Sequence, residues 1–238
     1  MTQNRNTDSH PLSPGRPAGA LTIIVATTNA NKVREIISVL DTMRATEACR
    51  LPEIRFIPLD ESAGIPEAVE DGSTFSENAA LKAGHYARHT GHICLADDSG
   101  LEVDALDGAP GIHSARFAAD EHDDFESRPR PQRDALNNEK LITQLVNRAA
   151  GATWTARFVC SMCLTAPDGT VMATARGTLE GVITDQPAGH HGFGYDPHVF
   201  LPDLGCTLAE LSADRKNARS HRGNATRSLL EKIASMPS

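Results

Sequence analysis

The chain has 238 residues, 39% of them hydrophobic and 23% charged, with a formal net charge of -8. That length suits one medium-sized domain or two lobes sharing a core, in a folded globular protein. The acidic balance disfavours coating of DNA or RNA, and no apolar run approaches the length of a membrane span.

Residues 1–20 are rich in Asn, Ser, Pro and Gly and lack an apolar core segment, so they read as a disordered tail rather than a secretory signal. The folded domain is expected over 21–238. An apolar stretch at 21–26 reads as a buried first strand running into Thr27, Thr28, Asn29, Ala30, Asn31 and Lys32. A helix follows, with Val33, Ile36, Ile37 and Leu40 on one face and Thr28 or Asn29 as its cap. A strand is expected over 54–59, ended by an acidic loop with Pro and Gly. Thr74 and Glu77 have the spacing of a capping box, which starts a second helix through Lys82 and Tyr86 to Gly91.

A short strand over 93–96 is expected to deliver Asp97, Asp98, Ser99 and Gly100 at its end. Residues 120–133 read as an exposed loop, followed by a helix over about 134–147. Residues 154–165 and 171–183 read as two strands of a hairpin turned at Pro167, Asp168 and Gly169. A Gly-rich loop through Phe193, Gly194, Tyr195 and Asp196 leads to a short strand at 199–201, and a helix closes the chain. Alternating strands and helices with one hairpin predict an α/β fold around a mixed sheet.

Five cysteines form an odd set and read as reduced thiols of a cytoplasmic protein. Cys160 and Cys163 have redox or zinc spacing, but three residues apart on a strand they point to opposite faces and should not meet. His190 and His191 lack a His or Cys partner at metal-binding spacing.

Backbone N–H groups at a helix start with one lysine are what a phosphate chain requires, although Thr27 to Lys32 lacks the glycines of a Walker loop. Adjacent carboxylates suit a hard cation with oxygen ligands. Alternation lets one of Asp97 and Asp98 reach the metal while the other ties down the loop, and Glu70 facing Asp98 would complete a two-carboxylate magnesium site. Phe193 and Tyr195 offer aromatic faces to a flat base, with Asp196 available for polar contacts. Lys216, His221 and Arg222 could read a base edge or neutralise phosphate.

Taken in order, these segments resemble the noncanonical purine nucleoside triphosphate pyrophosphatases, the inosine and xanthosine triphosphate pyrophosphatases. The matching stretches are Ala26-Thr-Thr-Asn-Ala-Asn-Lys-Val-Arg-Glu35, Glu70-Asp-Gly-Ser-Thr-Phe-Ser-Glu-Asn-Ala79 with Lys82, and Ala96-Asp-Asp-Ser-Gly-Leu101. Gly108-Ala-Pro-Gly-Ile-His-Ser-Ala-Arg116, Gly192-Phe-Gly-Tyr-Asp-Pro197, Lys216 and Ser220-His-Arg222 follow. His113 and Phe117 stand where that family commonly has tyrosines.

The resemblance implies an elongated two-lobed α/β domain with an active-site cleft between the lobes, a homodimer, and Mg2+-dependent cleavage of ITP, dITP or XTP to monophosphate and pyrophosphate. It implies Asp98 as catalytic and metal-binding carboxylate, with Glu70 as second metal ligand. It assigns substrate binding to Thr27, Thr28, Asn29, Ala30, Asn31, Lys32, Lys82, Ser99, Phe193, Gly194, Tyr195, Asp196, Lys216, His221 and Arg222. A relative preferring other triphosphates, or a nucleotide sensor without turnover, are the alternative readings. Nucleic acid and membrane are not expected partners.

Overall fold

The structure is a computed structural model that describes residues 20–27, 29–46, 51–60 and 64–236. The expected tail falls outside these residues except at Ala20, as do Thr28 and Cys49. Seven strands form one mixed sheet in the order β2-β1-β3-β4-β5-β6-β7. Strand β1 (Leu21–Val25) pairs in parallel with β2 (Ile54–Pro58) and with β3 (Ile93–Val103). The remaining pairs are antiparallel: β3 with β4 (Thr155–Thr165), β4 with β5 (Val171–Ile183), then β6 (Val199–Leu201) and β7 (Cys206–Thr207). The α/β fold with a central mixed sheet is therefore present. No helix among the described residues is long and apolar enough to cross a membrane.

Helix α1 (Ala30–Ala45) starts at Asn29, whose side chain accepts from Asn31 N–H. Helix α2 (Phe75–Thr90) is capped by Thr74 and ends at Gly91, whose φ of 67° suits a residue without Cβ. The Glu77 carboxylate reaches back over the helix start and accepts the backbone N–H and hydroxyl of Ser73, both at 2.7 Å.

Strand β3 runs well past its expected end at Ala96, so Asp97 and Asp98 lie within it and not at its terminus. Extension follows from its partner: the ladder to β4 continues from Cys94↔Thr165 to Val103↔Ala156. The expected loop at 120–133 is also more ordered than its composition suggested. Two short 3₁₀ turns, Ala119–Glu121 and Phe125–Ser127, bury Phe125. Helix α3 (Arg130–Arg148) begins four residues early because Pro131 sits in its first turn, where a missing N–H costs nothing.

The long strands hold two apolar clusters on one sheet face. At one end α1 and the terminal helix α5 (His221–Ala234) bury Ile36, Leu40, Leu229 and Ile233 against Leu95, Met162 and Ala175. At the other, Leu141 and Leu145 of α3 join Leu101, Phe158 and Leu179 with Tyr195 and Val199. At about 3.3 Å per residue, strands of 11 and 13 residues reach across both clusters. The opposite face carries α2, with Ala79, Ala83 and Ala87 against Ala96 and Cys163. Cys160 lies in the first cluster and Cys163 in the α2 cluster, so the two thiols stand on opposite faces, and both are unpaired.

Gly177 sets the seat of α5. A Cβ there would lie 2.2 Å from the His221 carbonyl oxygen and 2.4 Å from Ala225 N, so only glycine lets the helix start rest on β5. Gly177→Ala should destabilise the fold by about 1–3 kcal/mol through overpacking. Thermal unfolding reads this directly, and an unchanged melting temperature would mean that α5 sits further from the sheet.

Candidate active site

A cleft runs along β3, lined by the starts of α1 and α3, by α2 and by the loop before β6, and most of the residues singled out in the sequence line it. Its floor is β3. Because successive strand residues point to opposite faces, Asp97 turns toward α1 and α5 while Asp98 turns toward α2. The Asp98 Oδ2 accepts from Asn78 Nδ2 at 3.1 Å, and Oδ1 accepts the Ser99 N–H at 2.9 Å. Asn78 is itself held by the Gly72 N–H, which donates to its Oδ1 at 2.9 Å. Burial raises the proton affinity of Asp98, and Glu70 adds to the rise against the opposing pull of Lys82 and Lys32.

Asp97 has a different environment. It is 2% exposed and receives Lys32 Nζ at 2.9 Å and Arg222 NH2 at 3.2 Å, with the Ser99 hydroxyl at 3.3 Å. Burial alone would raise its pKa, but Lys32 and Arg222 together hold it well below the usual carboxylate range. Arg222 also binds Glu35, which pairs with Lys216 at 3.2 Å, and Lys216 reaches Asp196 at 2.8 Å. The result is a row of alternating buried charges: Lys32, Asp97, Arg222, Glu35, Lys216, Asp196.

At one end of the cleft, Thr27, Asn29 and Lys32 bring the start of α1 to the cavity. The Thr27 Oγ1 accepts the Asn29 N–H at 3.2 Å. Ala30 and Asn31 lie in the first turn of α1 outside the cavity lining, with Asn31 bonded to Arg34. Glu70 and Lys82 pair at 2.9 Å along the α2 side, and Lys82 Nζ also donates to the Asp97 carbonyl at 3.2 Å.

At the other end, Phe193, Gly194, Tyr195 and Asp196 form the loop wall, with Lys216 4.9 Å from the Phe193 ring centroid. Lys216 belongs to a separate short helix, α4 (Ala213–Arg219), and not to the terminal helix. His221 stacks on Phe158 at 4.8 Å with an interplanar angle of 15°, and its Nδ1 has no partner in the protein. Burial, and then Arg222 and Lys216, push its pKa well below the ordinary histidine value, so it is neutral. Arg222 lines the cleft while donating to Asp97, Glu35 and Ser99, so its guanidinium is held in the charged row at the cleft wall.

Several cleft residues were not foreseen. Asn78 lies four residues before Lys82, which places both on one face of α2, and Glu35, behind the cleft lining, has the same relation to Lys32 on α1 at a spacing of three. Arg116, Arg130, Asp134 and Asn137 also line the cavity. Arg116 closes the Gly108–Arg116 motif, in which the resemblance assigned that residue no role. Arg130, Asp134 and Asn137 come from the segment read as a loop and from the start of α3, where no local pattern announced them.

The two adjacent carboxylates make opposite predictions. Asp97→Asn leaves Lys32 and Arg222 buried with a neutral neighbour and should cost about 3–5 kcal/mol. Asp98→Asn removes a charge that burial already disfavours and should leave the melting temperature near that of the wild type. Asp97 and Glu35 both titrate below their unfolded values of 3.8 and 4.5. Their contribution is full above those values and disappears as pH falls below them. Wild-type stability should therefore drop below about pH 4 and the Asp97 variant should show a shallower acid limb; equal acid limbs would contradict the assigned pairing.

The Ham1 family model matches residues 23–232. A curated dITP/XTP pyrophosphatase from Nitratidesulfovibrio vulgaris is 46% identical over 210 residues, covering 88% of this chain and 94% of the relative. One from an Exiguobacterium species is 46% identical over 214 residues, with 89% and 96% covered. Among solved structures, a HAM1 protein from Coxiella burnetii aligns with a TM-score of 0.75 at 35% identity, covering 91% of this chain and all of that one. Family match and relatives agree, and the chain belongs to the Ham1 family.

Proposed function

We propose that this chain hydrolyses noncanonical purine nucleoside triphosphates (ITP, dITP and XTP) to the monophosphate and pyrophosphate with Mg2+, removing them from the nucleotide pool. One observation supports this most: Asp98 and Glu70 share a cleft with the start of α1 and Lys32 at one end and with Phe193, Lys216 and His221 at the other. That is the order of groups which a metal, a phosphate chain and a base require. The names of the curated relatives agree with it. A cytoplasmic homodimer acting on a small molecule, without nucleic acid or membrane, completes the reading.

The donor set fits Mg2+, which takes one or two protein carboxylates and fills its other positions with water and substrate phosphate. Each Asp98 oxygen accepts one hydrogen bond in the protein, which leaves lone pairs free, and Glu70 faces the same space. Asp98 and Glu70 would hold the ion. Once bound, it would draw charge from the phosphate oxygens.

The protein groups supply the rest. Lys32, Thr27, Thr28 and Asn29 would hold the phosphate chain at the helix start, with Lys82 assisting and with Ala30 and Asn31 as the first turn of α1 behind them. Asp98, with lone pairs left free beside its bonds to Asn78 and Ser99, would orient the attacking water. The water oxygen adds to phosphorus beside the α–β bridge, and the bridging bond breaks with its electron pair leaving on the departing phosphate. Ser99 and Arg222 hold Asp97 so that β3 keeps Asp98 aimed into the cleft.

Base recognition falls to Phe193, Gly194, Tyr195, Asp196, Lys216 and His221. A neutral imidazole with one unpartnered nitrogen, beside a lysine, can donate to a 6-oxo group; a 6-amino group would leave those donors unpaired.

Pyrophosphate release from ITP, dITP, XTP, GTP, ATP and dUTP, with Mg2+ or with EDTA, tests this reading. Strong release from the first three that EDTA abolishes is expected, with Asp98→Asn inactive but folded. Equal release from ATP and GTP would discard the base selectivity. Nucleotide binding without release would make the protein a sensor.

A further inference from the structure

We propose that Arg116 is the residue that grips the substrate's phosphate chain from the wall built on the Gly111–Arg116 turn, an inference that rests on the triphosphate reading above. The case starts from the charges in the cleft. Lys32 pairs with Asp97, Lys82 with Glu70, Arg130 with Asp134, Lys216 with Asp196 and Glu35, and Arg222 with Asp97 and Glu35. Among the described residues, Arg116 is the cleft-lining cation with neither a carboxylate nor a hydrogen-bond partner. A polyanion entering a cleft whose other cations are already neutralised meets its free positive charge there.

The backbone around this exposed side chain is tied down on every side. Arg116 ends a 3₁₀ turn, Gly111–Arg116, that rests on β3 at Gly100, where a Cβ would come within 2.4 Å of the Ser114 hydroxyl. Gly100 lies on the same strand face as Asp98, two residues on. The Ser114 Oγ accepts the Leu101 N–H at 2.8 Å, and its carbonyl accepts the Tyr195 hydroxyl at 2.9 Å. Asn137 of α3 then brackets Arg116: its Nδ2 donates to the Ala115 carbonyl at 3.2 Å, and its Oδ1 accepts the Ala118 N–H at 2.9 Å. Asn137 is 2% exposed, so both bonds are sheltered from water. The turn therefore ties the Asp98 strand, the base loop and α3 to one point, and an unpaired guanidinium projects from that point into the cleft. A planar fork of N–H donors suits phosphate oxygens better than a lysine does.

Arg116→Ala and Arg116→Lys test this in the full chain with Mg2+. The alanine variant should lose about 10²-fold in kcat/KM on ITP, as when one preorganised donor to a developing negative charge is removed. Calorimetric binding of inorganic tripolyphosphate should weaken in parallel, the melting temperature should stay at the wild-type value, and free guanidinium should restore part of the lost rate. The lysine variant should fall between the two. An alanine variant with wild-type kcat/KM and tripolyphosphate affinity overturns the proposal, as does a loss that comes with a lower melting temperature and no guanidinium rescue. Absence of triphosphate hydrolysis in the wild type would instead overturn the function itself, and tripolyphosphate affinity would still decide the role of Arg116.

Discussion

Six buried or half-buried charges in alternating order hold this molecule's working parts together. Lys32 comes from α1, Asp97 from β3, Arg222 from α5, Glu35 again from α1, Lys216 from α4 and Asp196 from the loop after β5. No single pair in such a row gives much net stability, because desolvation offsets most of the attraction. The row still admits one arrangement, since each charge is satisfied only when both neighbours are present. Three cations and three anions close without residual charge, which is how this many lysines and arginines can be largely buried together. The same row links the α1 end of the cleft to the Phe193–Asp196 end through a continuous set of polar contacts.

The apolar architecture serves that row. Glycine at 177 lets α5 start against β5, and this closeness puts His221 and Arg222 under the cleft rather than beside it. The long β3–β4–β5 ladder holds both clusters on one rigid sheet, so the two walls of the cleft share a floor. Rigid strands are a more accurate base for reacting groups than loops.

Much of this was legible in the sequence where a local rule decides the outcome. Periodicity gave α1 and α2, Gly91 marked where α2 ends, and Pro167 to Gly169 marked the hairpin. Alternation alone separated Cys160 from Cys163. The failures share a cause: each depended on a partner distant in sequence. Strand β3 extends beyond Ala96 because β4 lies beside it, and no property of residues 97–103 reveals that. Phe125 is a single aromatic in an acidic segment, and only its burial explains why 119–127 is ordered. The place of Arg222 in the charged row was hidden because its two carboxylates lie 125 and 187 residues away. The order of the family's motifs exposed the cleft, whereas the pairing of its charges required the fold.

The two adjacent aspartates of β3 differ by one step along a pleated strand, and that step decides which is locked in the charged row and which faces the open cleft. Inserting or deleting a single residue between the start of β3 and Asp98 would exchange the two faces, sending the neutralised carboxylate to the cleft and the open one into the buried row. This segment therefore has no tolerance for length change, even though most substitutions at its surface positions would be absorbed. Variation in chain length has to accumulate elsewhere, in stretches such as 119–129 whose residues answer to no ladder. Between Ile93 and Gly100, the count of residues matters as much as their identity.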